Sequence, residues 1–395
     1  MEQAGIEQRE TMARSGLRPC AGAPGHLLVW DRFVRVFHWS LAAATATAAV
    51  TGFLLDASWI RLHIAAGSLA AALLATRIVW GFTGPGPARF SSFVTGPRGL
   101  LRHLDELRRG RARRHLGHNP LGGAMILALG GTVMLLALSG VSALGGALAA
   151  GPLAAWLTHD VGAVSSGVHE LLAIGLLLLV AGHLAGVFFE SRRQGESLVR
   201  AMMSGCRQAR PGDAIPPARE ARVVPAVLLS ALLIGSCAWA VIGLPGPRPE
   251  RLPVAAAAFD PLVAEECSAC HMLYNPALLP AADWKALMAG LEEHFGEDAS
   301  LDESDTARIR GWLVVHAAET VDLRPARLFR ISEGERLLSI TETAAWKELH
   351  ESIAPAVFER NPPGSASNCR ACHRDAEDGL FSPFRISVPK ETTIP

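Results

Sequence analysis

Five long apolar runs occupy much of the first 244 positions of the chain and predict membrane-spanning helices. A bilayer core about 30 Å thick needs about 20 apolar residues in a helix, and each run reaches that length. In order, the runs are Phe33–Leu55, Leu62–Phe82, Leu121–Val141, Val168–Phe189 and Val223–Leu244. After the last run the apolar positions recur only in short helical stripes. The pattern therefore predicts an all-α fold, with five transmembrane helices followed by a small, mainly helical soluble domain.

Four histidines lie inside or at the ends of these runs. His169 and His183 are fourteen residues apart in one run, so both lie on the same helix face, about 21 Å apart and one near each membrane surface. His38 and His63, in the first and second runs, lie at the two matching depths. An ionisable group at membrane depth is costly unless it is used, and neutral imidazole is a common metal ligand. The pattern predicts two stacked haem b groups, held by His38 with His183 and by His63 with His169; the alternative is that these histidines hydrogen-bond to neighbouring helices.

Arg77 adds a second charged group within the apolar runs. It lies fourteen residues past His63, hence on the same helix face at the depth of the other haem, where it could pair with a propionate. The alternative is that its side chain extends to the membrane surface. Small residues at Gly52, Gly67, Gly182 and Gly186 would leave room for flat macrocycles, although glycine is frequent in membrane helices in general.

The chain has 37 basic and 37 acidic residues, and in the loops between the apolar runs the arginines are concentrated on one side of the predicted membrane. Positions 83–118 carry eight arginines and positions 191–222 carry seven, whereas 144–167 carry no Lys or Arg and 56–61 carry only Arg61. The positive-inside rule then predicts a multi-pass membrane protein with a cytoplasmic N-terminus and a C-terminal domain on the outer, periplasmic side. The arginines do not form one basic face, which argues against nucleic-acid binding.

Two C-x-x-C-H motifs follow the fifth apolar run: Cys267-Ser-Ala-Cys270-His271 and Cys369-Arg-Ala-Cys372-His373. This is the signature of covalent haem c attachment, with two thioethers and a proximal histidine. Zinc is the alternative, but it would require four ligands to converge from motifs about a hundred residues apart. The remaining cysteines, Cys20, Cys206 and Cys237, leave no disulfide framework for the periplasmic domain.

A sixth ligand for each haem c must come from His294, His316, His350, Met272 or Met288. The stretch Pro280–Phe295 predicts an amphipathic helix with His294 on its apolar face, and Trp346 with His350 forms a similar stripe. His316 also shares a face with apolar residues, so periodicity leaves it open.

The first part of the chain resembles the bacterial cytochrome b561 and hydrogenase-type cytochrome b family over about residues 26–205. The resemblance is carried by the stretch 29–39 around His38, Arg61-Leu-His63 with Gly67, Arg77-Ile-Val-Trp-Gly81, Gly117-His-Asn-Pro-Leu-Gly122 and His169-Glu with Gly182-His183. It implies a four-helix di-haem b domain in the bacterial inner membrane that exchanges electrons with quinone. His118 of the Gly-His-Asn-Pro stretch is not associated with haem ligation there, and His103, His115 and His159 are interpreted as loop residues.

The last part resembles the di-haem cytochrome c family over about residues 262–389. The matching segments are Trp284 to His294-Phe-Gly, Arg330-Ile-Ser, Trp346 to His350, and the terminal C-x-x-C-H with Gly379-Leu-Phe. In that family the histidines matching His294 and His350 are the distal ligands, with methionine ligation as the alternative. His316 is then a core or surface residue.

We therefore expect four regions: a cytoplasmic tail (1–28), a cytochrome b561-like membrane domain (29–205), linkers around a fifth transmembrane helix (206–253) and a periplasmic di-haem c domain (254–395). The expected function is electron transfer between the quinone pool and a soluble periplasmic cytochrome or haem protein, through two haem b and two haem c. The alternatives are a superoxide or other small-molecule:quinone oxidoreductase and the cytochrome subunit of a hydrogenase-like respiratory complex. An electron carrier is expected before a stand-alone catalyst, which would be a quinol:cytochrome oxidoreductase, and a homodimer is possible.

Overall fold

The computed structural model describes residues 16–243, 247, 249, 252–329, 338–360 and 363–388, with side chains in the fifth apolar helix described up to Ser236. The side chain of Cys237, the segment Arg330-Ile-Ser and the first fifteen residues of the tail lie outside this description. By internal contacts the chain divides into two compact units, one formed by residues 1–55, 62–140 and 167–243 and the other by 56–61, 141–166 and 244–395.

The first unit is built on five long helices, two shorter ones and one strand pair. The helices are α1 Arg32–Phe53, α2 Ile60–Thr83, α3 Pro97–Arg108, α4 Pro120–Ala147, α5 His159–Gln194, α6 Leu198–Ser204 and α7 Val223–Gly243. Strands β1 His26–Leu28 and β2 Cys206–Gln208 pair antiparallel. The predicted all-α fold is confirmed, and α7 covers the fifth apolar run up to Gly243. The fourth run is longer than predicted because α5 begins at His159, nine residues before Val168.

Four of these helices, α1, α2, α4 and α5, are long and apolar enough to cross a membrane. They direct large apolar side chains outward: Leu138, Leu178 and Phe188 are each more than 60% exposed. Small and medium residues instead fill the space between helices, as in the buried cluster of Ala44, Ala70, Leu74 and Val133. Apolar side chains on the outside and small ones inside are the arrangement of a helix bundle that faces lipid.

The start of α1 is fixed by one acidic residue. Asp31 caps the helix by accepting a hydrogen bond from the backbone N–H of Val34 at 2.9 Å, which satisfies one of the free amides of the first turn. Its second carboxylate oxygen accepts from the indole N–H of Trp80 at 3.1 Å. Asp31 therefore ties the end of α2 to the beginning of the helix that carries His38.

The arginine-rich segments of this unit fold onto one another. The buried Arg207 donates to Glu196 at 3.0 Å and to the backbone oxygen of Leu116 at 2.8 Å, and Arg114 pairs with both Glu196 and Asp213. The stretch 211–219, expected as a linker, is held by hydrogen bonds from the backbone between Ala214 and residues 114–116 and between Arg219 and Gly86. A disulfide joins Cys20 to Cys206, which the sequence had left unpaired.

The second unit contains the helices α8 Pro261–Cys267, α9 Ala281–Ala289, α10 Glu303–Val315, α11 Arg324–Leu328, α12 Ala344–His350 and α13 Pro355–Phe358. Its main core contains Phe259, Val263, Trp284, Ile309 and Leu313. The short segments 56–61 and 141–166 belong to the same unit. Arg327 pairs with Asp160 and Asp322 at 2.6 and 2.7 Å, and Arg61 donates to the backbone oxygen of Phe384 at 3.1 Å.

The predicted continuous helix Pro280–Phe295 is wrong. Helix α9 ends at Ala289, Gly290 follows with φ −122° and ψ 32°, and a separate 3-10 turn covers Leu291–Glu293. Glycine has a low helix propensity because its backbone loses the most freedom on folding, so it is a natural place for the helix to stop. His294 therefore lies after a turn and not on the face of α9.

Candidate functional site

Eight of the histidines singled out in the sequence form four close pairs. The distances between ring centres are 6.4 Å for His38 and His183, 6.0 Å for His63 and His169, 6.2 Å for His271 and His294, and 6.2 Å for His350 and His373. A bond from a transition metal to an imidazole nitrogen is about 2 Å long, and the ring centre lies about 1 Å beyond it, so two imidazoles on opposite sides of one iron have centres about 6 Å apart. All four pairs have the spacing that bis-histidine ligation of a haem iron requires.

In the pair His63 and His169, hydrogen bonds orient both rings. The Nδ1 atom of His63 lies 3.0 Å from the backbone oxygen of Ala48, and that of His169 lies 3.0 Å from the backbone oxygen of Leu136. A carbonyl oxygen can only accept, so each Nδ1 carries the proton and donates it. The lone pair of each ring is then on Nε2, the atom left free to bind a metal.

Two glycines make room for these rings. A Cβ atom at Gly52 would lie 3.2 Å from Cε1 of His63, and one at Gly140 would lie 3.1 Å from Cε1 of His169. Gly52 therefore lies against a histidine ring, whereas a Cβ at Gly67 or Gly186 would meet open space. Gly140 was missed, because glycine in an apolar helix carries no signal of its own until the neighbouring helix is placed.

Replacing Gly140 with leucine should weaken or abolish binding of the haem b at His63 and His169. The added side chain must displace the His169 ring from the position that its hydrogen bond to Leu136 defines. Haem b content per protein, measured by pyridine haemochrome, should fall by up to half.

Gly131 on the same helix provides a matched control, because a Cβ there would meet nothing within 4 Å. Gly131→Leu should retain all haem b. Equal haem contents in the two variants would contradict the role of Gly140.

The pair His38 and His183 lies in the same unit as the buried guanidinium of Arg77. Arg77 is only 6% exposed; it donates from Nη2 to the backbone oxygen of Ala88 at 3.0 Å and lies over the Phe90 ring. Its Nη1 has no hydrogen-bond partner among the described residues. A buried cation with an unused donor is costly unless an anion binds to it. The site therefore fits an acidic group such as a haem propionate.

His118, which the sequence set aside, is packed between aromatic rings near this pair. Its ring centre is 4.4 Å from that of Trp30 and 5.0 Å from that of Phe93. Burial, followed by the charges of Arg77 and Arg207, lowers the pKa of His118 to about 3, so the residue is neutral at physiological pH. His103, interpreted as a loop residue, lies in helix α3 and is buried.

The two pairs of the second unit contain the C-x-x-C-H histidines. His271 donates from Nδ1 to the backbone oxygen of Met272 at 2.7 Å, and His350 donates to that of Trp346 at 2.8 Å. Burial lowers the pKa of His294 and of His373, which favours the neutral, metal-binding form of both. The Nδ1 of His316 lies 2.9 Å from the backbone oxygen of Trp312, and its ring packs on the indole of that residue. Met272 and Met288 are buried apolar residues.

The four motif cysteines are free thiols. Burial raises the pKa of Cys267 and that of Cys369 to about 11. Among the residues that the structure describes, no three His, Cys, Asp or Glu side chains come together as a metal-ion site. The cysteines and histidines of the two motifs therefore suit thioether attachment of haem c better than binding of zinc.

Comparison with known proteins finds two families, each of which matches one region of the chain. Residues 29–205 match the family of prokaryotic cytochrome b561, and residues 263–381 match dihaem cytochrome c. None of the curated proteins matches the chain.

Two solved structures match the C-terminal region. A diheme cytochrome c from Rhodobacter sphaeroides is 46% identical over 33% of this chain and 99% of its own length, with a TM-score of 0.29. A diheme cytochrome type c from Shewanella baltica OS155 is 36% identical over 34% of this chain and 95% of its own, with a TM-score of 0.27. The chain thus belongs to the dihaem cytochrome c family through its C-terminal region, its membrane region matches the prokaryotic cytochrome b561 family, and it is a membrane haem protein of electron transport.

Proposed function

We propose that the protein carries electrons from membrane quinol to a soluble periplasmic acceptor through two haem b and two haem c groups. The observation that carries this proposal is the common spacing of the four histidine pairs, 6.0 to 6.4 Å between ring centres. Haem supplies the one-electron chemistry, and the chain supplies ligands, spacing and surroundings.

The proposed ligands follow from the pairs. His38 with His183 and His63 with His169 bind the two haem b groups without covalent attachment. Thioethers at Cys267 and Cys270, and at Cys369 and Cys372, attach the two haem c groups. The C-x-x-C-H histidines His271 and His373 are their proximal ligands, and His294 and His350 are the distal ones.

Arg77 is proposed to pair with a propionate of the haem held by His38 and His183. A carboxylate on this guanidinium would occupy the unused Nη1 donor of a buried cation. Charge-assisted hydrogen bonds of this kind are about twice as strong as neutral ones.

The orientation of the chain is proposed from the arginines. Segments 83–118 and 191–222 would be cytoplasmic, and the C-x-x-C-H motifs would then be periplasmic, where covalent haem attachment takes place. Quinol is proposed as the donor because it is the lipid-soluble carrier within reach of the b haems, and a soluble cytochrome or haem protein as the acceptor.

Bis-histidine ligation favours an electron carrier over an enzyme that binds a small molecule. With two imidazoles on each iron, no coordination position remains open for peroxide or a nitrogen oxide. Such irons exchange electrons without binding their partner, which is what a chain of four carriers between a membrane pool and a soluble protein requires.

Pyridine haemochrome analysis of the purified protein tests the cofactor content. We expect equal amounts of haem b and haem c, because four membrane histidines and two covalent motifs provide ligands for two of each. Acid–acetone extraction should remove the haem b and leave the covalent haem c on the chain. A ratio of b to c away from unity would contradict the proposed ligand sets.

A further inference from the structure

Tyr274 is the single tyrosine of the 395-residue chain, and it lies between the two C-x-x-C-H motifs. Its ring centre is 5.1 Å from that of His271, with the two planes at 72°. Its hydroxyl donates to the backbone oxygen of Ser367 at 2.5 Å. Ser367 precedes Cys369 by two residues, so one side chain contacts the proximal histidine of the first motif and the backbone that enters the second.

The residues around Tyr274 are joined to the second motif at two further points. The backbone N–H of Leu273 donates to the Glu377 carboxylate at 3.4 Å, and the Asn275 amide donates to the Glu377 backbone oxygen at 3.1 Å. Arg370, inside the second motif, donates to the same carboxylate at 3.2 Å. Asn275 is fully buried, and a Cβ atom at Gly379 would lie 2.7 Å from its Cγ, so only glycine allows this approach.

The hydroxyl of Tyr274 must be the donor in its contact with Ser367, because a backbone carbonyl oxygen can only accept. A neutral phenol donates one hydrogen bond, and the Ser367 oxygen is its acceptor.

We propose that Tyr274 is a positioning residue that couples the two c-type haem sites, with its ring against the proximal histidine of the first and its hydroxyl holding the chain that enters the second. This inference rests on the proposed attachment of haem c at both motifs. It adds a residue that fixes the position of one haem c site relative to the other. The consequence is that the two haems act as an interacting pair, whose reduction potentials depend on each other and between which electrons exchange rapidly.

The single tyrosine permits a test on the otherwise unaltered full-length protein. Protein labelled with 3-fluorotyrosine should give one 19F resonance, and a ferric low-spin haem is paramagnetic whereas a ferrous one is not. Stepwise reduction should therefore shift this resonance in two steps, each at the midpoint potential of one haem c. A resonance that follows only one haem, or neither, would overturn the proposal.

Tyr274→Phe removes only the hydroxyl and tests its contribution. A lost hydrogen bond of this kind shifts the equilibrium between the held and released segment by about fivefold. Both haem c groups should remain attached, while the separation of their two midpoint potentials changes and electron exchange between them slows. Unchanged potentials and rate would show that the hydroxyl does not couple the sites.

Thr320→Val is the matched control, because it also removes a hydroxyl that donates to a backbone oxygen, that of Ala317 at 2.8 Å, elsewhere in the same unit. It should leave the potentials and the exchange rate as in the wild type. Haemochrome analysis distinguishes failure of the proposed function from failure of the proposed role of Tyr274. Fewer than two haem c in the wild-type protein would refute the proposed function, whereas two haem c with a one-step 19F response would refute only the role of Tyr274.

Discussion

Replacing His38 with alanine is expected to remove one of the two haem b groups and to leave the other in place. The ring of His38 is 6.4 Å from that of His183 and the ring of His63 is 6.0 Å from that of His169, so each haem should depend on its own pair. His183→Ala should therefore give the same spectrum as His38→Ala, and His63→Ala the same spectrum as His169→Ala. Haem b content should fall by about half in each single variant, with one of two midpoint potentials lost.

His115→Ala is the matched control for these substitutions, because His115 also belongs to the first unit but its Nδ1 donates to the backbone oxygen of Arg113 and its ring contacts His103, which is not a proposed ligand. Redox titration of each purified variant, followed in the haem b absorption band, distinguishes the two sites. If His38→Ala and His63→Ala removed the same potential, the pairing would have to be exchanged. If His38→Ala lost neither haem b, His38 would not be a ligand.

The sequence was sufficient to locate four long apolar helices and to choose the partner of each histidine that they carry. A helix periodicity of 3.6 and a bilayer of fixed thickness convert sequence position into depth, so His38 and His183 could be matched without knowledge of the packing. The same reasoning placed Arg77 at the depth of the His38 and His183 pair, with extension to the membrane surface as the alternative. Its environment, with one hydrogen bond to Ala88 and an unused Nη1, required coordinates.

Features that depend on close packing of separate segments could not be predicted. Gly140 matters only because the His169 ring of another helix lies against it, and the sequence contains 38 glycines that look alike. The pairing of Cys20 with Cys206 depends on the short strand pair that brings residues 186 positions apart together. Helix α9 ends before Gly290 because glycine has a low helix propensity. The sequence pattern did not reveal this end, since Leu291 and His294 continue the helical spacing of apolar positions beyond it.

Removing the covalent haems should abolish electron delivery to a soluble acceptor without preventing reduction of haem b by quinol. Replacing Cys267, Cys270, Cys369 and Cys372 together by alanine removes every thioether while keeping the chain at full length. A shortened chain would be a poorer test, because segments 56–61 and 141–166 contact the C-terminal residues through Arg61 and Arg327. In stopped-flow mixing with quinol, the haem b band should be reduced to the same amplitude as in the wild type.

The variant Cys20→Ser with Cys206→Ser is the control for loss of cysteine as such, since these two residues form a disulfide with each other and belong to neither motif. It should deliver electrons to a soluble cytochrome at the wild-type rate, whereas the four-alanine variant should deliver almost none. The physical reason is access. The proposed b haems are held by helices within the bilayer, and a soluble partner can approach only a carrier that is attached outside the bilayer. Equal rates of cytochrome reduction by the four-alanine and wild-type proteins would show that the c haems are not on the path of the electrons.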